Sequence, residues 1–250
     1  MSSTQVDFKI EGSHATIMFR TDGAVNLLSA DLLHSFGAIV AKVKKNSHIR
    51  TAAIQAEGKV FIAGADIKEM ADFTTDQARS YGELGQGIMS DLAALPCITV
   101  AAIQGAALGG GLELALACDF RVAVKSAKLG FPEVSLGLVP GWGGIVRATK
   151  LIGPSHAKKL FLSANPVSGE DAVTWGLVDE VVNSPEDLSH RVAAFCKSFR
   201  RASPAAVALA KRASRDFGEL SAFSECFAAR DSREGMTAFV EKRPASWMEG

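Results

Sequence analysis

In the first twenty residues apolar side chains fall on alternate positions: Val6, Phe8 and Ile10, then Ala15, Ile17 and Phe19, with Gly12 between the two sets. A period of two buries one face of a strand, so this segment is predicted as a hairpin of two half-buried strands. After a loop over residues 23–28 the period changes. Leu32, Leu33, Phe36, Val40 and Val43 recur at helical spacing behind Ser29, a residue type that caps helix starts. Residues 52–56 and 60–62 are apolar runs of strand length. Thr74-Thr75-Asp76 opens a helix expected to reach about Leu95, where Pro96 stops it. Gly82, Gly85 and Gly87 weaken it, each by up to about 1 kcal/mol relative to alanine.

A β-rich run over 98–103 then feeds a turn containing Gly109, Gly110 and Gly111, which is predicted to open directly into a short apolar helix ending near Asp119. Strands follow over 120–124 and near 129–131. Helices over 143–152 and 154–163 are separated by Gly153-Pro154. Ser168 caps a helix to Trp175, with Gly176 as its stop, and residues 178–182 read as strand or extended chain. From Pro185 the pattern is helical throughout, over roughly 186–201, 204–217, 221–231 and 233–242. The chain therefore divides into a mixed α/β core, residues 1–185, and a helical region, residues 186–250. Periodicity alone fits a doubly wound sheet as well as any other α/β arrangement.

Composition narrows the function. At 250 residues the chain can bury a large core, and 27 basic side chains balance 27 acidic ones. No net field draws it to nucleic acid or an anionic membrane, and no apolar run is long enough to span a bilayer. The first residues carry no basic and apolar leader pattern, so a cytoplasmic protein is expected. Four cysteines without C-x-x-C spacing read as buried reduced thiols, and five scattered histidines lack ligand spacing, so no metal is expected.

The chemistry concentrates around the glycine triplet. Glycine leaves backbone N–H groups unshielded, and the first N–H groups of a helix lack internal partners and sit at its positive end. A strand, a bare turn and a helix start make a site for negative charge. Glu113 lies just inside the helix, and Glu133 follows twenty residues later in Phe131-Pro132-Glu133. Taken singly, a glutamate near a helix start reads first as a favourable dipole contact, and a glycine triplet also serves close helix–strand packing. Together they outline an acid–base enzyme. The triplet is neither G-x-G-x-x-G nor a P-loop, and no G-x-S-x-G elbow is present.

The segments from Gly105 to Glu113, Pro132-Glu133 and Pro140-Gly141-Trp142-Gly143-Gly144 resemble the signature of the enoyl-CoA hydratase/isomerase (crotonase) superfamily, as do Val60 to Met70 and Glu234 to Arg243. The resemblance spans nearly the whole chain and is strongest to the hydratases. It implies a spiral of ββα turns with a C-terminal helical trimerisation region. It implies an acyl-CoA thioester substrate and no cofactor beyond the CoA that the substrate carries, and the apolar faces of the helical tail predict a homo-trimer or hexamer.

Carried over position by position, the resemblance makes the N–H groups of Ala65 and Gly110 an oxyanion hole. Glu113 becomes the base that activates water for attack on C3, and Glu133 the acid that protonates C2. Ala63, Ala65, Asp66, Ile67, Lys68 and Gly110 would cradle CoA. Phe239 and Lys242 would reach the CoA of an adjacent subunit, although Lys242 reads equally as a solvated lysine on an amphipathic helix. Leu136 and Trp142 would line the acyl pocket, and Trp142 reads equally as packing.

Gln104-Gly105, Trp142 and Ile145-Val146 depart from the family's usual Asn-Gly, small residue and Thr-Gln. These departures are expected around the acyl pocket, where they bear on substrate shape. Gly82, Gly85 and Gly87 fall where a loose lid would cover it. Isomerase, decarboxylase and C–C lyase chemistries share the same oxyanion hole. Some relatives bind RNA through a lysine-rich helix; here Lys42, Lys44, Lys45 and Arg50 are the only candidates, and zero net charge opposes that role.

Overall fold

The computed structural model describes residues 4–23 and 25–248; residues 1–3, 24, 249 and 250 lie outside. The start of the chain used above to argue against a leader, one position of the 23–28 loop and the last two residues of the 186–250 region thus fall outside the described residues. The chain begins β1 (Thr4–Glu11), β2 (His14–Thr21), α1 (Ala30–Lys45), β3 (Thr51–Ala56), β4 (Val60–Ile62), α2 (Ile67–Met70) and α3 (Thr75–Ala93). It continues β5 (Ile98–Ile103), β6 (Ala106–Leu108), α4 (Gly110–Ala117), β7 (Phe120–Val124), β8 (Lys128–Gly130), α5 (Gly144–Leu162), β9 (Val167–Ser168) and α6 (Gly169–Thr174). It closes with β10 (Glu180–Val182), α7 (Pro185–Ser198), α8 (Pro204–Asp216), α9 (Glu219–Cys226) and α10 (Arg230–Val240).

Local signals act where the sequence places them. The hairpin β1–β2 is antiparallel about Gly12. Ser29 accepts the Leu32 amide, Thr74 and Gln77 form a reciprocal capping box, and Ser168 accepts the Asp171 amide. Helix α5 breaks at Gly153, whose φ of 73° no helix tolerates. Several short elements escape the pattern, among them α2, β6, β9 and a 3₁₀ turn at Glu133–Leu136. Each is four residues or fewer, too short for a period to register. The predicted direct passage from strand into helix at residue 109 is thus interrupted by β6.

The strands build two sheets, one ordered β1-β2-β3-β5-β7-β10 and the other β4-β6-β8-β9. Successive strands alternate between them: β3, β5 and β7 join the first, and β4, β6 and β8 the second. A helix follows each pair, so the chain winds as a spiral of ββα turns. Strand β5 is buried at every position because both faces of its sheet are covered. Ala53, Val100, Ala102, Val122 and Val124 meet Leu188, Val192 and Cys196 of α7 on one side. Helix α4 is buried along its whole length, which explains why it is apolar all round.

The tail is anchored beneath α4. Lys211 of α8 donates to Asp119 at 2.6 Å and to the Cys97 carbonyl, while Asp119 also accepts the Thr99 amide and hydroxyl. All four cysteines are free, three of them buried. Among the described residues, no helix is long and apolar enough to cross a membrane.

Candidate active site

Two loops meet at the start of α4. The first carries Ala63 to Ala65 out of β4, and a parallel bridge joins Ala65 to Leu28. That bridge is made by the flanking amides: Leu28 donates to the Gly64 carbonyl at 2.9 Å, and Asp66 donates to the Leu28 carbonyl at 3.3 Å. The Ala65 N–H takes no part in it. The second loop ends at Gly109, whose φ of 51° reverses the chain ahead of α4. Gly110 is then the first helical residue, so its N–H has no partner within the helix. The loops abut, since a Cβ on Gly64 would stand 3.6 Å from the Gly110 nitrogen.

Residues with no sequence signal hold this cradle. Buried Asn26 donates from Nδ2 to the carbonyls of Glu57, Val60 and Phe61 and accepts the Ala63 amide on its own carbonyl. The Tyr81 hydroxyl donates to the Leu28 carbonyl at 2.7 Å.

The two carboxylates reach the same space from opposite supports. Glu113, only 2% exposed on α4, accepts the Trp142 and Gly144 amides on Oε1, each at 2.7 Å. Burial pushes its carboxyl up from the ordinary range, while those amides, the nearby Arg147 guanidinium and the Gly141 amide pull it back towards the anion. Arg147 in turn donates to the Trp142 carbonyl at 2.7 Å, bracing the turn.

Glu133 opens the 3₁₀ turn, and its Oε1 stands 2.8 Å from where a Cβ on Gly109 would lie. Burial raises its carboxyl to about 7; its own backbone N–H opposes the shift and the Glu113 charge adds to it. Its Oε2 is buried without a hydrogen-bond partner. Burial thus favours the protonated form of both carboxyls; at Glu113 the amides on Oε1 oppose that shift, whereas Glu133 Oε2 has no partner.

One cavity of about 490 Å³ contains this arrangement. Ala63, Ala65, Ile67, Gly110, Glu113, Glu133, Leu136 and Trp142 all line it, together with Met70, Ala78, Tyr81, Gly82, Leu138 and Val139. Asp66 and Lys68 do not. Asp66 caps α2 by accepting the Lys68 amide. Phe239 and Lys242 lie on and just beyond α10 and do not line the cavity, with Phe239 85% exposed.

Two expectations about the pocket are corrected. Gln104 is not at its wall: Nε2 donates to the carbonyls of Ala56, Gly58 and Val60 and ties the β3–β4 turn. Ile145 and Val146 are not cavity residues either, and Val146 faces outward on α5. Gly82, Gly85 and Gly87 lie within the predicted helix, α3, where Gly82 lines the cavity and Gly85 admits the Trp142 indole. The lysine cluster is partly occupied as well. Lys44 pairs with Asp91, and Arg50 donates to the carbonyls of Trp247, Arg200 and Ala202.

Comparison with known proteins converges on one group. The family model described as enoyl-CoA hydratase/isomerase matches residues 9–250. A crotonyl-CoA hydratase of Syntrophomonas wolfei is 37% identical, with 99% of each chain covered. A short-chain-enoyl-CoA hydratase of Clostridium acetobutylicum is 35% identical over 97% of each. The crystal structure of an enoyl-CoA hydratase from Bacillus anthracis superposes with a TM-score of 0.89 at 33% identity, covering 99% of each chain.

Proposed function

The chain belongs to the enoyl-CoA hydratase/isomerase family, and we propose that it adds water reversibly across the 2,3 double bond of a 2-enoyl-CoA thioester. The observation that carries this reading is the pairing of Glu113 and Glu133 on one cavity beside two amides free to bind an oxyanion. The thioester oxygen sits between the Ala65 and Gly110 N–H groups. As water attacks C3, the π pair shifts onto C2 and that oxygen, where the two donors stabilise the developing charge. Losing one such donor typically costs on the order of 100–1,000-fold in rate.

Glu113 takes a proton from the attacking water, and Glu133 delivers one to C2. The net change is OH on C3 and H on C2, and the proton held by Glu113 returns to Glu133 before the next turnover. The amides on Oε1 suit Glu113 to the base role. The upward shift of Glu133 to about 7 suits it to the acid role.

CoA lies along the loop from Ala63 through Lys68, and in an assembled trimer Phe239 and Lys242 reach the CoA of a neighbour. The apolar side chains exposed on α9 and α10 and at the end of α8, Phe217, Leu220, Phe223 and Phe239 among them, support that assembly. A spectrophotometric screen of 2-enoyl-CoA thioesters tests the reading by loss of the conjugated absorbance. Turnover of a 3-enoyl-CoA or a malonyl-type thioester, with no 2-enoyl-CoA hydrated, overturns it in favour of an isomerase or decarboxylase.

A further inference from the structure

Resting on the thioester reading above, we infer that Trp142 is the end wall of the acyl channel and restricts this protein to short acyl chains. With the thioester oxygen at the Ala65 and Gly110 amides and C2 and C3 at the carboxylates, C4 and the carbons beyond it run towards the side of the cavity that Trp142 lines. The indole of Trp142 stands there. It is 4% exposed and wedged between α3 and α4, where it fills the space of a side chain at both Gly85 and Gly110.

The indole is packed on several sides. Its edge meets Tyr81 at 5.5 Å between centroids, and the Tyr81 ring is pinned by its hydroxyl on the Leu28 carbonyl and by Phe73, also at 5.5 Å. The backbone at Trp142 is fixed too, because its N–H is bound by Glu113 and its carbonyl by Arg147. Helices α3 and α4 each present a glycine to the indole, so the ring occupies the space that side chains would take there. On this placement a longer chain has to displace an aromatic held by both its ring and its backbone, and a four-carbon chain does not. Pocket walls discriminate between chains by such lost or gained methylene contacts.

The test compares chain lengths, because the Trp142 amide also touches Glu113 and absolute rates will change with any substitution. Dissociation constants for butyryl-CoA and decanoyl-CoA, which need no chemistry, are measured by calorimetry beside kcat/KM for the C4 and C10 2-enoyl thioesters. The wild type is expected to favour the C4 ligand by about tenfold or more, roughly 1.4 kcal/mol. Trp142→Ala is expected to bring the two within about threefold, and Trp142→Phe, which keeps a ring and is the safer variant for folding, to move the ratio the same way by less.

Equal wild-type affinity for both lengths overturns the wall, as does an unchanged ratio in a folded Trp142→Phe and Trp142→Ala pair. If Trp142→Ala does not fold, the wild-type series and Trp142→Phe decide. Discrimination between the saturated thioesters with no hydration of either enoyl ligand would leave the wall standing and remove the hydratase reading. Hydration of both lengths at equal kcat/KM would do the reverse.

Discussion

Glu113 Oε1 and the Trp142 amide nitrogen lie 2.7 Å apart, so one residue bounds the cavity with its side chain and orients a carboxylate with its backbone. The turn from Pro140 to Gly144 therefore serves shape and chemistry together. Arg147 on the same turn's carbonyl keeps both in register.

If the two carboxylates act on one water, Glu113→Gln and Glu133→Gln should each lower hydration by at least about 100-fold. The double variant should be little worse than the poorer single one, since groups acting as a unit are strongly non-additive. Single-turnover hydration of crotonyl-CoA, with thermal melts to confirm folding, makes the comparison. Near-normal hydration by Glu113→Gln beside a dead Glu133→Gln would instead mark a one-carboxylate isomerase.

Gly110 tolerates no side chain. A Cβ there runs into the six-membered ring of Trp142, so even Gly110→Ala should lower kcat and reduce the melting temperature, while Gly110→Pro also deletes the donor N–H. The alanine loss arises from overlap, a cost of typically about 1–3 kcal/mol. Adding Trp142→Phe to Gly110→Ala should recover part of the stability, and Gly110→Pro should gain no rate from the same second change. A double-mutant cycle on melting temperature checks this; strict additivity would show that the two residues do not conflict.

The Glu133 carboxyl titrates at about 7 in the fold against an ordinary 4.5. The folded state thus holds this proton more tightly than the unfolded chain. The group's contribution to stability is unpenalised below about 4.5, declines as pH rises to about 7, and is flat above. Glu133→Gln, which cannot ionise, should accordingly gain stability over the wild type as pH rises from 4.5 to 8 and show little difference at the acid end. Paired denaturation curves across that range read the sign. A gap that widens towards low pH would contradict the assignment.

The exposed aromatics of the tail, Phe217 at 91% and Phe239 at 85% among them, call for covering surfaces. Light scattering at micromolar concentration should return a trimer or a multiple of one. A monomer mass would remove Phe239 and Lys242 from any role at a neighbour's CoA. In the assembled protein Lys242→Ala should raise KM for the thioester and leave kcat nearly unchanged.

Much of the local structure is legible in the residues alone. The period of two in β1 and β2, the caps at Ser29, Thr74 and Ser168 and the break at Gly153 act within a few positions of themselves. Such signals need no distant partner. Glu113, Glu133 and the glycines around Gly110 stand out for a similar reason, because their spacing within short segments carries the family resemblance.

What tertiary structure alone decides is which surfaces meet. Periodicity records that a face is buried and not what buries it, so alternation of strands between two sheets leaves no trace that a doubly wound sheet would not share. Gly85 reads in sequence as a weak point in a helix and is in fact the seat of an indole from 57 residues further on. Gln104 reads as a pocket residue and is a clamp on a neighbouring turn. Asn26 and Arg147, which brace the β4 loop and the Trp142 turn, resemble any other loop asparagine and helix arginine until the carbonyls they bind are brought to them. Their meaning depends on contacts between residues far apart in the chain, and those contacts exist only once the spiral has closed.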